Sequence, residues 1–214
     1  MPAGPSGLLF EEDFVSGIVI EVQEKSCLLE RLWETRKDRV FQYPIITHRL
    51  YLRPPVEEDT DALMAIFADP EVMKYSPTGC LSKEQIKEKI NEWEREYGEN
   101  NFCPFVVIRQ EDSELIGICG LHASSYYVVE GEPRTEIVFR LAKKFWGGGY
   151  GFEAAQAVLQ DASTKLHGKE IVAIVDVLNE RSRKLVEKIG MQWWKQTTLI
   201  GIRVDLYRYE ITRD

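Results

Sequence analysis

Hydrophobic and polar positions recur along the chain with two different periods, and the change from one period to the other predicts where strands and helices lie. In "THRLYLRP" (47–54) apolar residues recur at every second position, which is the period of a strand. "VEEDTDALMAIFADPEV" and "SKEQIKEKINEWEREYGEN" follow with the spacing of helices. We expect the first helix to end before Pro70, and the second to be capped by Ser82 and closed by Gly98.

The second half of the chain continues this alternation. Two apolar runs in "FCPFVVIRQEDSELIGICGLH" flank the polar residues 111–113 and predict a hairpin, and "RTEIVFRLA" predicts another strand. A helix then runs to about Leu166, followed by the apolar strand "KEIVAIVDV", a helix ending at Gly190 and a hairpin around Gly201. The predicted order, β-α-α-β-β-β-α-β-α-β-β, implies an α/β fold with a mixed sheet and helices on both of its sides.

Residues 1–45 differ from this pattern, and we predict a domain boundary at their end. "GIVIEVQ" (17–23) alternates like a strand, and "SCLLERLWETRKDRVF" (26–41) carries an apolar stripe at helical spacing. We therefore expect an N-terminal extension at 1–45 and one domain at 46–214. Because an exposed apolar stripe must pack on something, we expect the extension to cover a substrate cleft or to form the contact of a homodimer.

The charge balance narrows the possible partners. The 214 residues include 27 basic and 35 acidic ones, which gives a formal net charge of −8. Surfaces that bind nucleic acids usually carry a basic excess instead, so we expect no nucleic-acid partner. An acidic protein suits a cationic ligand such as an amine.

The cysteines and the N-terminal sequence favour a cytoplasmic protein. Cys27, Cys80, Cys103 and Cys119 form no CxxC pair, so we expect reduced thiols and no metal site. "MPAGPSGLLFEEDF" lacks the basic start of a secretory signal. Since no apolar run approaches the ~20 residues that span a bilayer, we expect no membrane partner.

Candidate chemistry concentrates in "FWGGGYGFEAAQAVL" (145–159), where glycines occupy 147, 148, 149 and 151, directly before a strong helix-forming sequence. Such a turn exposes backbone N–H groups that have no partner within the helix, and the helix dipole adds partial positive charge. Together these features favour an anion, most commonly a phosphate. A P-loop needs Lys and then Ser or Thr after the last glycine, and a dinucleotide fold places its glycines after the first strand. Residues 145–159 fit neither of these two nucleotide-binding patterns well, and a glycine turn with a purely structural role is the remaining alternative.

The longer stretch "EIVFRLAKKFWGGGYGFEAAQAVL" resembles the acetyl-CoA motif of the GNAT N-acetyltransferases, most of all the branch with ribosomal-protein N-terminal and spermidine-type enzymes. The family loop (Gln/Arg)-x-x-Gly-x-(Gly/Ala) is matched by residues 144–149, with Lys in the first slot. "THRLYLRPPVEEDTDAL", "FADPEVMKYSPTG" and "DVLNERSRKLVEKIGM" resemble three further family segments in the same order. The resemblance covers about 47–212 and implies the GNAT acyl-CoA N-acyltransferase fold, a central splayed mixed sheet flanked by helices.

The resemblance also implies a binding site for acetyl-CoA. The strands "EIVFRL" and "EIVAIVDV" would splay apart and accept the pantetheine arm, while the N–H groups of the glycine loop would hold the diphosphate. Asn179, which is also a plausible helix cap, would touch the cofactor arm. The residues assigned to acetyl-CoA in this way are Phe139, Arg140, Leu141, Trp146, Gly147, Gly148, Gly149, Tyr150, Gly151, Phe152 and Asn179.

The reaction implied is direct attack of an amine on the thioester, which needs a base, a donor to the thioester oxygen and an acid for the leaving thiolate. Glu136 stands where the branch has a Glu at the start of the cofactor strand, and it acts as the base or only orients the substrate. His122, at the end of "LIGICGLH", is a second candidate, although a single His is more often structural. The family's acid tyrosine is replaced by Val186, which leaves Ser182 as the next candidate for the acid.

The acceptor side would be walled by the helical region 69–102 and by the loop "SSYYVVEGEPRTE". Acidic residues there could hold a second cationic group of the acceptor, and the alternative is an ordinary solvated loop. The candidates for acceptor contact are Tyr75, Trp93, Tyr126, Tyr127 and Glu130.

Together these patterns predict an acetyl-CoA-dependent N-acetyltransferase that acts on a primary amine, either a protein N-terminus or a small amine or polyamine. Two other functions stay open. The missing tyrosine and the unmatched extension are compatible with a non-catalytic acyl-CoA-binding sensor or interaction module. The glycine loop, taken alone, is compatible with a nucleotide-binding protein.

Overall fold

A mixed sheet is the frame of the part of the molecule that the structure describes. The computed structural model describes residues 44–129, 132–166 and 169–211, with the backbone alone for 124–129 and 132–133. The described residues form a sheet in the order β1-β2-β3-β4-β5-β6-β8-β7, in which β5 and β6 are parallel and all other neighbours antiparallel. Its strands are β1 Ile45–Ile46, β2 Leu50–Arg53, β3 Pro104–Arg109, β4 Leu115–Val129, β5 Glu132–Leu141, β6 Glu170–Asp176, β7 Gln192–Leu199 and β8 Ile202–Glu210.

Helices lie on both faces of this sheet. Arg140 of β5 places its guanidinium 5.1 Å over the ring of Phe67. The next residue, Leu141, points to the opposite face, where a Cβ on Gly151 would lie 3.6 Å from its side chain. The helices of the described residues are α1 Thr60–Phe67, α2 Pro70–Met73, α3 Lys83–Asn100, α4 Tyr150–Lys165 and α5 Glu180–Lys188, with 3₁₀ turns at Glu57–Asp59 and Lys143–Phe145. Phe67 ends α1 and Gly151 lies in the first turn of α4, so α1 and α4 cover opposite faces.

The longest helix, α3, is held by one apolar stripe. Ile86, Ile90, Trp93 and Tyr97 recur at helical spacing and are all at most 5% exposed. Trp93 packs against Phe67 of α1 with ring centroids 6.2 Å apart. Because burying a large apolar side chain contributes roughly 1.5–3 kcal/mol, this stripe fixes which side of α3 faces the sheet.

The parallel strands β5 and β6 separate after a short contact. They pair only at Thr135 with Ile171 and at Glu136 with Val172, although β4 stays paired with β5 as far as Leu141. On its other side β6 remains paired with β8 to its last residue, Asp176. The sheet therefore opens a gap between the second half of β5 and the second half of β6.

Most of the elements predicted from the sequence are confirmed. Both hairpins are present, with the left-handed backbone that tight turns require at Ser113 (φ 60°), Ile200 (φ 45°) and Gly201 (φ 82°). Ser82 caps α3 by accepting the N–H of Gln85 at 3.3 Å. The mixed sheet with helices on both sides is also confirmed, and the structure adds the short elements β1 and α2 to the predicted order.

One predicted boundary is wrong. Gly98 does not close α3 but lies inside it, and Asn101 is the C-terminal cap with a left-handed backbone (φ 59°). Its N–H donates to the carbonyl of Tyr97 at 2.9 Å. Both residue types favour helix ends, and the pattern alone did not distinguish them.

The predicted extension at 1–45 lies, but for its last two residues, outside the described residues, so its strand, its helix and the domain boundary stay predictions. Among the helices of the described part, none is both long and apolar enough to cross a membrane.

We expect Gly98→Ala to stabilise the protein by about 0.5–1 kcal/mol, because glycine inside a helix loses more backbone freedom on folding than alanine does. A Cβ at this position would meet no atom within 4 Å. Urea unfolding of the variant and the wild type measures the difference. Destabilisation would indicate that Gly98 has a left-handed backbone and ends the helix after all.

Candidate functional site

The glycine loop forms the start of α4 and presents an array of backbone N–H groups. Gly147 and Gly149 both have φ 81°, in the left-handed region that favours glycine, and Gly149 is the N-cap of α4. The first intrahelical bond runs from the N–H of Glu153 to the carbonyl of Gly149 at 3.1 Å. The four N–H groups of residues 149–152 precede this bond, so none of them has a partner within the helix.

The loop is fastened to the residues just before β2 by a clamp of hydrogen bonds. Glu153, in the first turn of α4, accepts hydrogen bonds from the Thr47 hydroxyl (2.6 Å), the Arg49 backbone (2.9 Å) and the Arg49 Nε (2.7 Å). Arg49 also donates to the carbonyl of Gly148 at 3.0 Å. Burial alone would raise the pKa of Glu153, but these hydrogen bonds and the charge of Arg49 hold it below its usual value. The clamp thus fixes the loop with a carboxylate that stays ionised.

Cationic side chains surround the start of α4 although the whole chain is acidic. Three of them stack over the loop's aromatic rings: Arg181 over Trp146 at 4.1 Å, Lys188 over Phe152 at 4.3 Å and Arg49 over Tyr150 at 4.4 Å. Stacking of this kind holds the cations in place. Together with the helix dipole and the N–H groups of the loop, they make this part of the surface suited to a diphosphate.

The gap between β5 and β6 exposes backbone groups of β5. The N–H of Ala142 donates to the carbonyl of Ile116 directly opposite at 2.9 Å, so the alternate residues Leu141 and Phe139 direct their own N–H and C=O groups away from β4, into the gap. The Trp146 indole donates to the carbonyl of Leu141 at 2.8 Å. Arg140 directs its backbone toward β4 and its side chain over Phe67, unlike its two neighbours.

Asn179 occupies the cap position expected for it. Its side chain accepts the N–H of Ser182 at 3.1 Å at the start of α5. Ser182 is half-buried, and Val186, which replaces the family tyrosine, is fully buried at 0% exposure. The position of the family tyrosine therefore holds a side chain of the core. The capping hydrogen bond of Asn179 is compatible with the predicted contact between this residue and the cofactor.

The two predicted base candidates lie beside each other on the face of the sheet that α1 covers. His122 of β4 is directly opposite Glu136 of β5, and directly opposed residues place their side chains on the same face. Glu136 is 9% exposed, and burial raises its pKa from 4.5 to about 7, although the charges of His122 and Arg140 lower it in part. A carboxyl with a pKa near neutrality is suited to proton transfer.

The structure adds a third member that the sequence did not single out. Glu96 of α3 is 7% exposed and accepts from His122 Nδ1 at 2.7 Å and from the backbone N–H of Ala123. Burial alone would lower the pKa of His122, but the hydrogen bond and charge of Glu96, with the charges of Glu136 and Glu92, raise it above its usual value. In the described part of the chain, no group of three or more His, Cys, Asp or Glu side chains could hold a metal ion.

The predicted acceptor residues are placed unequally. Tyr75 is half-buried, with the ammonium of Lys74 5.3 Å from its ring centre. Trp93 is a core residue with 5% exposure, and its packing in the core is enough to explain a tryptophan at this position. Its contact with the acceptor stays a prediction. The side chains of Tyr126, Tyr127 and Glu130 lie outside the described residues, and their roles also stay predictions.

Comparisons with known proteins agree with this geometry. A family model described as acetyltransferase (GNAT) domain matches residues 49–192. The uncharacterized N-acetyltransferase p20 of Bacillus licheniformis is 32% identical over 152 residues, which cover 69% of this chain and 82% of p20. The structure of a GNAT-family acetyltransferase from Bacillus anthracis is 28% identical, with a TM-score of 0.62 over 79% of this chain and 98% of that one. RimL, a ribosomal L7/L12 α-N-protein acetyltransferase solved with coenzyme A, shares the fold at 17% identity, with a TM-score of 0.66 over 79% of this chain and 98% of RimL.

We expect Glu136→Gln to be more stable than the wild type at alkaline pH. Because the folded-state pKa of Glu136 is raised from 4.5 to about 7, the folded protein binds this proton more tightly than the unfolded chain does. The penalty for ionising the buried carboxyl therefore grows as the pH rises between these two values and is complete above about pH 7, where it is on the order of 3 kcal/mol. Urea unfolding at about pH 5 and about pH 8 should show a gain in the variant that is larger at the higher pH.

Glu88→Gln is a matched control, because it makes the same chemical change at a carboxyl that lies on the exposed side of α3. This variant should follow the pH dependence of the wild type. Equal stability of Glu136→Gln and the wild type at about pH 8 would contradict the assignment of a costly buried charge.

Proposed function

Because the chain belongs to the GNAT acetyltransferase family, we propose that it transfers the acetyl group of acetyl-CoA to a primary amine, either a protein N-terminus or a small amine or polyamine. Membership of the family makes the chain an acetyl-CoA-dependent acetyltransferase. The nature of the acceptor and the roles of individual residues are the proposal. The observation that carries it is that one strand, β5, both borders the gap toward β6 and holds the buried carboxyl of Glu136.

The residues of the loop and the gap fit the two ends of acetyl-CoA. The N–H groups of 149–152 and the cations Arg181 and Lys188 would bind the diphosphate. Phe139 and Leu141 would pair with the amides of the pantetheine arm in the manner of a missing strand, with Asn179 at the opposite wall. We assign the side chain of Arg140 to the acceptor face instead, since it lies over Phe67.

The proposed reaction is a direct transfer in which the chain moves protons and stabilises charge. Acetyl-CoA supplies the activated acetyl carbonyl. The acceptor arrives as an ammonium ion and gives one proton to the pair His122–Glu136, directly or through water, after which its lone pair forms the C–N bond while the C–S bond breaks. A backbone N–H of Phe139 or Leu141 donates to the carbonyl oxygen as negative charge develops there. The second proton of the nitrogen passes to the sulfur, giving a thiol, and Ser182 is the candidate that carries it.

The acceptor face favours a cation. Glu92, Glu96 and Glu136 all act on His122 with negative charge, and an ammonium group entering there would be attracted to them. RimL, which shares the fold, acts on a protein α-amine, and this is why a protein N-terminus stands beside small amines in the proposal. A cytoplasmic location belongs to the same proposal.

The function is tested by following release of the coenzyme A thiol from acetyl-CoA with a panel of amines. The panel contains peptides with free α-amines, the same peptides with blocked α-amines, and polyamines. We expect thiol release with at least one free amine and none with its blocked counterpart, because the nitrogen lone pair is the nucleophile. Binding of acetyl-CoA without amine-dependent release for any acceptor would favour the sensor, a function with which the buried Val186 in place of the tyrosine is compatible.

We expect Gly149→Val to raise the KM for acetyl-CoA by about tenfold or more. A β-branched residue at φ 81° is strained, and relief of the strain would turn the N–H groups of the loop away from the diphosphate; about 1.4 kcal/mol of lost binding is a factor of ten. Gly201→Val is the matched control, since it places the same side chain at a similar φ of 82° in the turn between β7 and β8, outside the glycine loop, and it should keep the wild-type KM. An unchanged KM in Gly149→Val would show that the diphosphate binds elsewhere.

A further inference from the structure

We propose that Glu96 is the positioning residue of the acetyl-transfer site, which holds the ring of His122 with its proton on Nδ1 so that Nε2 accepts the proton of the incoming amine. This inference rests on the proposed function and deepens it by dividing the roles within the pair His122–Glu136. It is carried by two hydrogen bonds of one buried carboxylate, to His122 Nδ1 at 2.7 Å and to the backbone N–H of Ala123.

The backbone bond decides how the carboxylate can act. The N–H of Ala123 is always a donor, so the oxygen Oε1 of Glu96 that contacts it must be an acceptor. The other oxygen, Oε2, faces Nδ1 of His122. With Glu96 acting as a carboxylate, which has only acceptors, the proposal places the hydrogen on Nδ1 and leaves the lone pair of the neutral ring on Nε2.

The position of Glu96 in the fold makes this arrangement rigid. It lies on α3 one turn beyond Trp93, whose ring is fixed in the core against Phe67, and next to the buried Tyr97. The carboxylate is 8% exposed, whereas the ring of His122 keeps 20% of its surface accessible. The buried partner therefore orients a ring that a substrate can still reach.

Charged groups act on the ring from each packed element. Glu92 and Glu96 contribute from α3, and Glu136 contributes from β5; Arg140, also on β5, acts on Glu136. When Nε2 takes the proton from the ammonium group, the resulting imidazolium is neutralised by Glu96 on one side and faces Glu136 across the strand pair. Glu136 then serves as the site to which the proton moves on, or as the charge that draws the amine to the ring.

Glu96→Gln tests this role because it inverts the hydrogen bond without changing the shape. The amide oxygen must face the N–H of Ala123, so the amide NH₂ faces Nδ1 of His122, which then has to accept. The ring proton moves to Nε2, and the lone pair needed for the amine is lost. We expect kcat to fall by about 10²-fold or more, while the KM for acetyl-CoA stays the same because Glu96 does not contact the glycine loop.

The tautomer itself can be read by ¹⁵N NMR of the ring nitrogens, on the alkaline side of the titration of His122. The chain has three histidines, and a His122→Gln variant identifies the signals of His122. We expect the proton on Nδ1 in the wild type and on Nε2 in Glu96→Gln. Glu92→Gln is the control, since it removes a nearby charge but no hydrogen bond to the ring; it should keep the wild-type tautomer and shift the acid limb of the kcat/KM profile to slightly lower pH.

The outcomes separate this inference from the proposed function. A wild-type ring with its proton on Nε2, or full turnover by Glu96→Gln, would overturn the role of Glu96 and leave acetyl transfer intact. Wild-type protein that shows the expected tautomer but releases no thiol with any amine would support the positioning by Glu96 and contradict the proposed acceptor class.

Discussion

The early separation of β5 from β6 is the constraint on which the rest of the structure depends. In a continuous sheet the N–H and C=O groups of Phe139 and Leu141 would be used by β6, because backbone groups within a sheet are almost always paired. Here β5 keeps β4 as its neighbour over its full length but has β6 for only two residues. The backbone of one strand is thereby fixed on one side and open to a ligand on the other, apart from the carbonyl of Leu141, which already accepts from the Trp146 indole.

The same strand also divides the chemistry between the two faces. Phe139 and Leu141 point their backbone groups into the gap, while the alternate positions Glu136 and Arg140 place their side chains on the face covered by α1. The pleat of β5 therefore brings the proposed cofactor side and the proposed proton-transfer side within a few residues of each other. Their electrostatics are opposite, with cations stacked around the start of α4 and carboxylates around His122. The net charge of −8 for the whole chain does not show this separation of positive and negative regions.

Glu136, the proposed proton-transfer group, is held at a cost to stability. A carboxyl such as Glu136 that is almost fully buried disfavours its own ionisation, and the resulting pKa of about 7 fits the proposed role of taking up and releasing a proton near neutrality. Glu96 is buried to a similar degree but has two hydrogen-bond donors directed at it. This contrast between a carboxylate with two hydrogen-bond donors and one with poor solvation separates the proposed positioning residue, Glu96, from the proposed proton-transfer residue, Glu136.

The sequence by itself determined the features whose cause is local. Glycines before a helix, Ser82 and Asn179 at caps, and the tight turn at Gly201 follow from backbone preferences that neighbouring residues express directly. The prediction for Gly98 is wrong because glycine occurs inside helices as well as after them, and Asn101 adopts the left-handed cap one turn later. Glu96 could not be found in this way, since it is one of several glutamates in α3 and only packing decides which of them is buried beneath the sheet. Its contact with His122, 26 residues further along the chain, exists because β4 and α3 are brought together by the apolar stripe of the helix. The contact between Glu96 and His122 therefore depends on how distant segments pack, and the residues next to either one in the sequence do not predict it.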